Sequence, residues 1–195
     1  QKNETVNYQN QFDCSLFLLA ATATFTSCSN SGGDTSNLQA KVDALEKELK
    51  TFKDEKALTE MRLVRFDYLD FEFYSKQDWK NFNISHADDI KVVYPDGMIT
   101  TGLSPQHIDM LTPMFAFAPD TKIKTHPVRF GSGDWTCVIG EMEGTFSKPM
   151  PIGNVKTIPP TNKKFKLSMS TIGHWKDGKM IEEYLFWDNQ SFMKQ

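Results

Sequence analysis

Along this chain the rhythm of apolar and polar positions changes several times, and each change predicts a different element. Ser15 to Phe25 is one apolar run, well short of the roughly 20 residues that cross a bilayer. Leu38, Val42, Leu45, Leu49 and Phe52 then recur at steps of four and three, with Lys and Glu between them. That spacing predicts a charged helix with a two-heptad apolar seam, which fails when Lys56 and Thr59 fall on the next seam positions. Met61 to Tyr74 is dense in Leu, Val, Phe and Tyr and predicts a long, mostly buried helix. Ser75-Lys76-Gln77-Asp78 breaks it, and Asp78 can cap a short helix through Trp79 and Phe82.

From here the pattern alternates. Ile90 to Tyr94 predicts a strand stopped by Pro95-Asp96-Gly97, with a fragment at Met98 to Thr101 after it. Ser104-Pro105 predicts a helix start, Ser as cap and Pro in the first turn, with the helix reaching about Phe117. A strand at Lys122 to Phe130, a turn at Gly131-Ser132-Gly133-Asp134 and a strand at Trp135 to Phe146 follow. After Pro159-Pro160, an alternating strand is reversed by Asp177-Gly178 into a second strand ending at Trp187-Asp188, before a short amphipathic helix. Helix, short helix, hairpin, helix and four long antiparallel strands make an α+β domain. The chain thus divides into a leader (1–28), a Ser/Gly/Asn/Asp-rich flexible tether (29–37), a stalk helix (38–56) and a globular domain (57–195).

Composition narrows the function. An apolar content of 39% with fifteen Phe can fill a core, and a net charge of −3 with no basic stripe speaks against nucleic acid. Three cysteines, Cys14, Cys28 and Cys137, do not make a disulfide framework, and Cys137 on a strand reads as buried and inert. No Cys or His pair has zinc-ligand spacing, so neither a metal nor another cofactor is expected.

The leader has its own signature. Its apolar run ends in Thr26-Ser27-Cys28 and a small polar stretch, which resembles the lipobox of bacterial lipoproteins. The resemblance implies lipidation of Cys28 and an exported, membrane-anchored protein on the periplasmic or cell-surface side. The alternative is a buried N-terminal element with an ordinary core cysteine. The seam that follows serves either as a semi-rigid stalk or as a dimerising coiled coil.

A second resemblance covers Met61 to Gln195. It rests on the Lys76-Gln77-Asp78-Trp79 break, Gly102 before the second main helix, Phe117 through Val128 and Trp135 opening a strand that reaches Gly144. The Pro159-Pro160-Thr161-Asn162 run and the Asp177-Gly178-Lys179 turn complete it. Together these resemble a SnoaL-like polyketide cyclase domain, a branch of the nuclear-transport-factor-2-like superfamily. The resemblance implies a curved antiparallel sheet wrapped around a long helix, enclosing a conical cavity, and domains that pair as homodimers through the outer face of the sheet. It places the family's catalytic acid on Leu185 and its polar partners on Met169 and Thr171.

A leucine cannot move a proton, so the family's aldol step does not carry over as it stands. Residues two apart on a strand share a side, so Ile181, Glu183, Leu185 and Trp187 are expected to face the cavity together. Glu183 is then the candidate acid or base, its pKa raised by an apolar cone; otherwise it sits solvated at the rim or pairs with Lys179. Tyr94, Phe115, Trp135, Met142, Met169, Thr171, Leu185 and Trp187 are the expected pocket wall. Asp188 reads as a helix cap, and His86, His126 and His174 as satisfied or exposed, with His86 near Tyr94 able to reach the cone's mouth. Three functions fit: binding a small apolar or aromatic molecule, a cyclase- or isomerase-like reaction through Glu183, or a non-catalytic dimerisation module.

Overall fold

The structure, a computed structural model, describes residues 34–153 and 156–195. The leader with Cys28, and residues 29–33 of the tether, lie outside the described residues. The chain divides into two compact units after Val42, and the site belongs wholly to the second, Asp43–Gln195.

Helix α1 spans Asp34–Tyr68 and continues into a wider turn at Leu69–Tyr74. This corrects both the tether boundary at 37 and the stalk boundary at 56. No Gly or Pro occurs between Asp34 and Tyr74, so the backbone ladder runs on although the apolar seam stops. The seam residues themselves are exposed, and burial begins at Arg62, Leu63 and Phe66.

A short 3₁₀ turn, Trp79–Ile84, leads into β1, His86–Val93, which pairs with β2, Ile99–Thr101. Helix α2 spans Ile108–Phe117. It begins later than Ser104-Pro105 predicted, because Ser104 is extended (φ −127°, ψ 131°), as the residue before a proline tends to be. An irregular turn at Leu103–His107 bridges the difference.

The remaining strands are β3 Lys122–Ile123, β4 Val128–Ser132, β5 Trp135–Thr145, β6 Met150–Ile152, β7 Lys156–Ile158, β8 Lys164–Lys176 and β9 Lys179–Trp187. In the main sheet the order is β2-β1-β9-β8-β5-β3, with β4 also on β5; β6 and β7 pair apart. Two expectations are corrected here. The strand at Lys122 to Phe130 is split, since Pro127 has no N–H for the ladder, and its halves both pair with β5. The sheet is also not wholly antiparallel: β1 runs parallel to β9, a pairing across about ninety residues that no hairpin signal announces.

The β8–β9 turn is as Asp-Gly predicts, with positive φ at Asp177 (50°) and Gly178 (79°). Arg65 of α1 donates to the Gly178 carbonyl, and Arg62 donates to the Gly133 carbonyl (2.6 Å) and to Asp134 (2.8 Å). Two arginines on one helix thus pin two hairpin turns. Where α1 crosses the sheet, a Cβ on Gly173 would meet Met180 Sδ at 2.6 Å and the Phe66 ring at 3.2 Å. Only glycine lets helix and strand approach so closely there.

Strand parity decides which side chains enter the cone. On β5 the even residues Thr136, Val138 and Met142 are buried, whereas Trp135 is exposed and stacks on His174 on the outer face (4.1 Å, 2°). On β9, His174 pairs with Glu182 and Trp175 with Met180, which leaves Ile181 as the extra residue of a bulge. The expectation that Ile181 shares the inner face is therefore corrected. Met180 is buried in its place, and Glu183 and Leu185 face inward beyond the bulge. Helix α3, Asn189–Met193, closes the chain, and Asp188 caps it by accepting from Gln190 and Ser191 N–H.

Candidate functional site

Between α1, α2 and the inner face of the sheet lies a cavity of about 90 Å³. Its wall is mostly Leu69, Tyr74, Phe82, Leu111, Met114, Ile123, Met142, Leu167, Met169, Leu185 and Trp187, with Thr171, two carboxylates, Asp70 and Glu183, and two imidazoles, His86 and His107, among them. Clefts that take drug-sized ligands measure roughly 300–1,000 Å³, so this one suits a small, compact occupant.

Glu183 stands at the polar end and is buried, neither at the rim nor paired with Lys179. Its Oε2 is 3.4 Å from His107 Nε2 and 3.8 Å from His86 Nε2. Burial pushes its pKa up, but His86 and His107 more than offset this and hold it below the usual carboxylate range. That reverses the raised value expected for an acid in an apolar cone, because the end of the cone it occupies is not apolar. His107, by contrast, is pushed down to about 4, chiefly by burial. Its Nδ1 lies 2.9 Å from the Tyr94 hydroxyl, whose own pKa burial raises to about 12. His86 lies flat against Phe82 (5.4 Å, 8°) with Nδ1 3.2 Å from the Phe82 carbonyl oxygen.

The second acid, Asp70, sits in the wide turn that ends α1. Its Oδ2 is 2.8 Å from His126 Nε2, while His126 Nδ1 is 2.8 Å from Asp67 Oδ1. Arg129 then bridges Asp67 (2.7 Å) to Glu60 (2.8 Å), completing a chain from cavity wall to surface. Burial raises the pKa of Asp70. Burial lowers that of His126, but Asp70 and Asp67 outweigh it and the net shift is upward. Both ring nitrogens face carboxylate oxygens, so the protonated imidazole, with two N–H donors, is the form that fits.

A raised histidine pKa contributes stability that is full below its unfolded value, about 6.5, and is lost as pH rises through the folded value. Urea titrations of the wild type are therefore expected to show unfolding free energy falling above pH 6.5, with the slope flattened in His126→Gln. An equal fall in both proteins would show that His126 is not the group responsible.

The structure brings together Glu183, Met142, Met169, Thr171, Leu185 and Trp187 of the expected wall. It places Tyr94 and Phe115 one layer back, buried behind His107 and against Tyr74 and Trp79 respectively. Trp135 is outside the cone, since its odd position on β5 points away. Sequence reasoning missed His107 and Asp70. Their signals were present: His107, Leu111 and Met114 follow helical spacing, and so do Phe66, Asp70 and Tyr74, each a polar residue on an apolar stripe. His126 is neither exposed nor idle, because Pro127 breaks the strand beside it and its ring turns toward α1.

Solved structures share this architecture. A candidate SnoaL-like polyketide cyclase from Jannaschia sp. CCS1 superposes with a TM-score of 0.60 at 18% identity, covering 70% of this chain and 92% of that one. IdmH from Streptomyces antibioticus, a candidate polyketide cyclase, gives 0.58 at 19%, covering 68% and 96%. A candidate polyketide cyclase from Xanthomonas campestris gives 0.59 at 13%, covering 71% and 98%. At such identities the likeness concerns the fold. No curated protein matches the chain. The family model for the SnoaL-like polyketide cyclase matches residues 62–195, well over half the chain, and the protein belongs to that family.

Proposed function

We propose that the domain captures a small apolar or aromatic molecule inside its cone, with any polar group of that molecule turned toward Glu183, His107 and Asp70. The observation that carries this is the wall itself: mostly aliphatic, Met or aromatic, with its polar groups, Thr171 apart, ionisable. Such a cavity favours an apolar body through area removed from water and orients it through a small number of polar contacts.

Untargeted mass spectrometry of molecules that co-purify with the full chain tests it. A small molecule is expected with wild type and lost in Met169→Trp, which fills the cavity. An empty wild type, or the same molecule in both proteins, would refute the reading.

A second reading is catalytic, and one observation favours it. Asp70 and Glu183 share the cavity, yet their environments push one pKa up and the other down, which is how an acid and a base are set apart on one site. Cyclase- or isomerase-like proton transfer next to a carbonyl is the chemistry such a pair supports.

Location and assembly rest on other features. The sequence of the leader supports an exported protein held on a membrane by lipidated Cys28, and detergent partitioning of Cys28→Ser decides it. Exposed Val128, Phe130, Trp135 and Phe186 on the outer face of the sheet support a homodimer, for which sedimentation is the measurement.

A further inference from the structure

Three donors converge at the polar end of the cavity. His86 opens β1, His107 ends the turn before α2 and Glu183 lies on β9. Their atoms His86 Nε2, His107 Nε2 and Glu183 Oε2 lie within 4.8 Å of one another. All three residues are buried, at 0%, 2% and 4% exposure.

Hydrogen-bond accounting shows what this point lacks. The Phe82 carbonyl can only accept, so the His86 Nδ1 beside it carries a proton, and in the neutral ring Nε2 is left with a lone pair. That lone pair faces a carboxylate oxygen, which also only accepts. Neither His86 Nε2 nor Glu183 Oε2 has a hydrogen-bond partner, and buried polar atoms seldom go without one. His107 is arranged alike: Tyr94 hydroxyl meets its Nδ1, and the same hydroxyl lies 3.3 Å from Thr100 Oγ1. If Nδ1 donates to Tyr94 and Tyr94 to Thr100, the Nε2 of His107 presents a second lone pair to the same point.

We propose that His86 Nε2, His107 Nε2 and Glu183 Oε2 bind a divalent transition-metal ion, zinc or ferrous iron, with its open coordination positions facing the apolar cavity. Two imidazoles and one carboxylate are a donor set for these ions and not for magnesium or calcium, which take oxygen ligands. Metal–ligand bonds of about 2.0–2.2 Å put neighbouring ligand atoms roughly 3–3.5 Å apart. The 3.4 Å pair already has that spacing; His86 Nε2, 3.8 Å from Glu183 Oε2 and within 4.8 Å of His107 Nε2, must move inward to complete the set. The Phe82 carbonyl and the Tyr94 hydroxyl hold the two rings by their far nitrogens, as outer partners of metal-bound histidines do. Three protein ligands leave room for an oxygen of the captured molecule. The inference rests on the cavity reading, and it makes Glu183 a ligand, leaving Asp70 as the acid of the wall free to move a proton.

The full chain, stripped with chelator, is titrated with Zn²⁺ by calorimetry, with Fe²⁺ under anaerobic conditions, and with Co²⁺ by visible absorption. One equivalent of ion and Co²⁺ ligand-field bands are expected for wild type. Glu183→Gln is expected to abolish both, and Tyr94→Phe, which touches no ligand atom of the ion, to weaken affinity ~10–100-fold. A folded wild type that binds no ion would overturn the proposal and leave a proton, carried by an imidazole, as the only cation there. Binding that survives Glu183→Gln undiminished would overturn it as well. If Glu183→Gln does not fold, wild type and Tyr94→Phe decide. A captured small molecule without an ion sinks this inference alone, whereas an ion without any captured molecule sinks the cavity reading alone.

Discussion

Trp175→Ala is expected to lower the free energy of unfolding by about 3–5 kcal/mol, the usual cost of truncating a fully buried aromatic. Trp175 is 1% exposed, meets the edge of Phe66 from α1, and donates from Nε1 to Thr136 Oγ1 at 2.7 Å. The substitution opens a void between helix and sheet and strands a buried hydroxyl, and the two losses add. Since a domain's whole stability is roughly 5–15 kcal/mol, the variant should be barely folded at 37 °C. Urea denaturation followed by far-UV circular dichroism is the check, with a lower midpoint at unchanged slope. Trp175→Phe, which keeps the ring and loses the N–H, should recover much of the difference. A loss under 1 kcal/mol in Trp175→Ala would mean that contact between α1 and β8 does not hold the cone closed.

On the catalytic reading proposed above, Glu183→Gln is expected to leave the fold in place and to lower turnover in the cone by about 10²–10⁴-fold, the range general acid–base catalysis contributes. The amide keeps the shape of the side chain and removes both the charge and the ability to exchange a proton. The assay is ring closure, or exchange of the proton beside a carbonyl, in the molecule that co-purifies with the chain. Capture of that molecule should survive, because the apolar wall is untouched. Wild-type turnover in the variant would remove Glu183 from the chemistry and leave Asp70 as the acid of the wall, whereas no turnover in either protein would leave the domain a binding module. Together with the ion titrations the same variant separates two roles: a base loses turnover in the metal-free protein, whereas a metal ligand loses the ion.

Much of the architecture was legible because it rests on local rules. Asp177-Gly178 needs positive φ at both positions and obtains it; Asp188 needs free N–H groups ahead of it and caps two of them. Alternation on β8 and β9 placed Met169, Thr171, Glu183 and Leu185 on the inner face. It failed at Ile181 and Trp135 for different reasons. Ile181 is the extra residue of a bulge that only cross-strand pairing defines, while parity alone could have separated Trp135 from Met142 on β5.

The candidate site was legible only in part. Glu183 could be picked out because it stands two residues from the position the family's acid would take. Its partners could not, since His86 and His107 are brought to it by the parallel β1–β9 pair and by an irregular turn before α2. Its charge state follows from those partners. The assumed apolar cone would raise the carboxyl's pKa, but two imidazoles within 4 Å of it reverse the sign.

The amino-acid sequence by itself thus determined the elements, their hairpins and caps, and the inward face of the closing strands, because each depends on residues a few positions apart. The tertiary structure alone decided which ionisable groups meet. Residues 70, 86, 107, 126 and 183 are far apart along the chain, and electrostatic and hydrogen-bond energies depend on separation in space, to which spacing in sequence gives no guide once the chain has closed on itself.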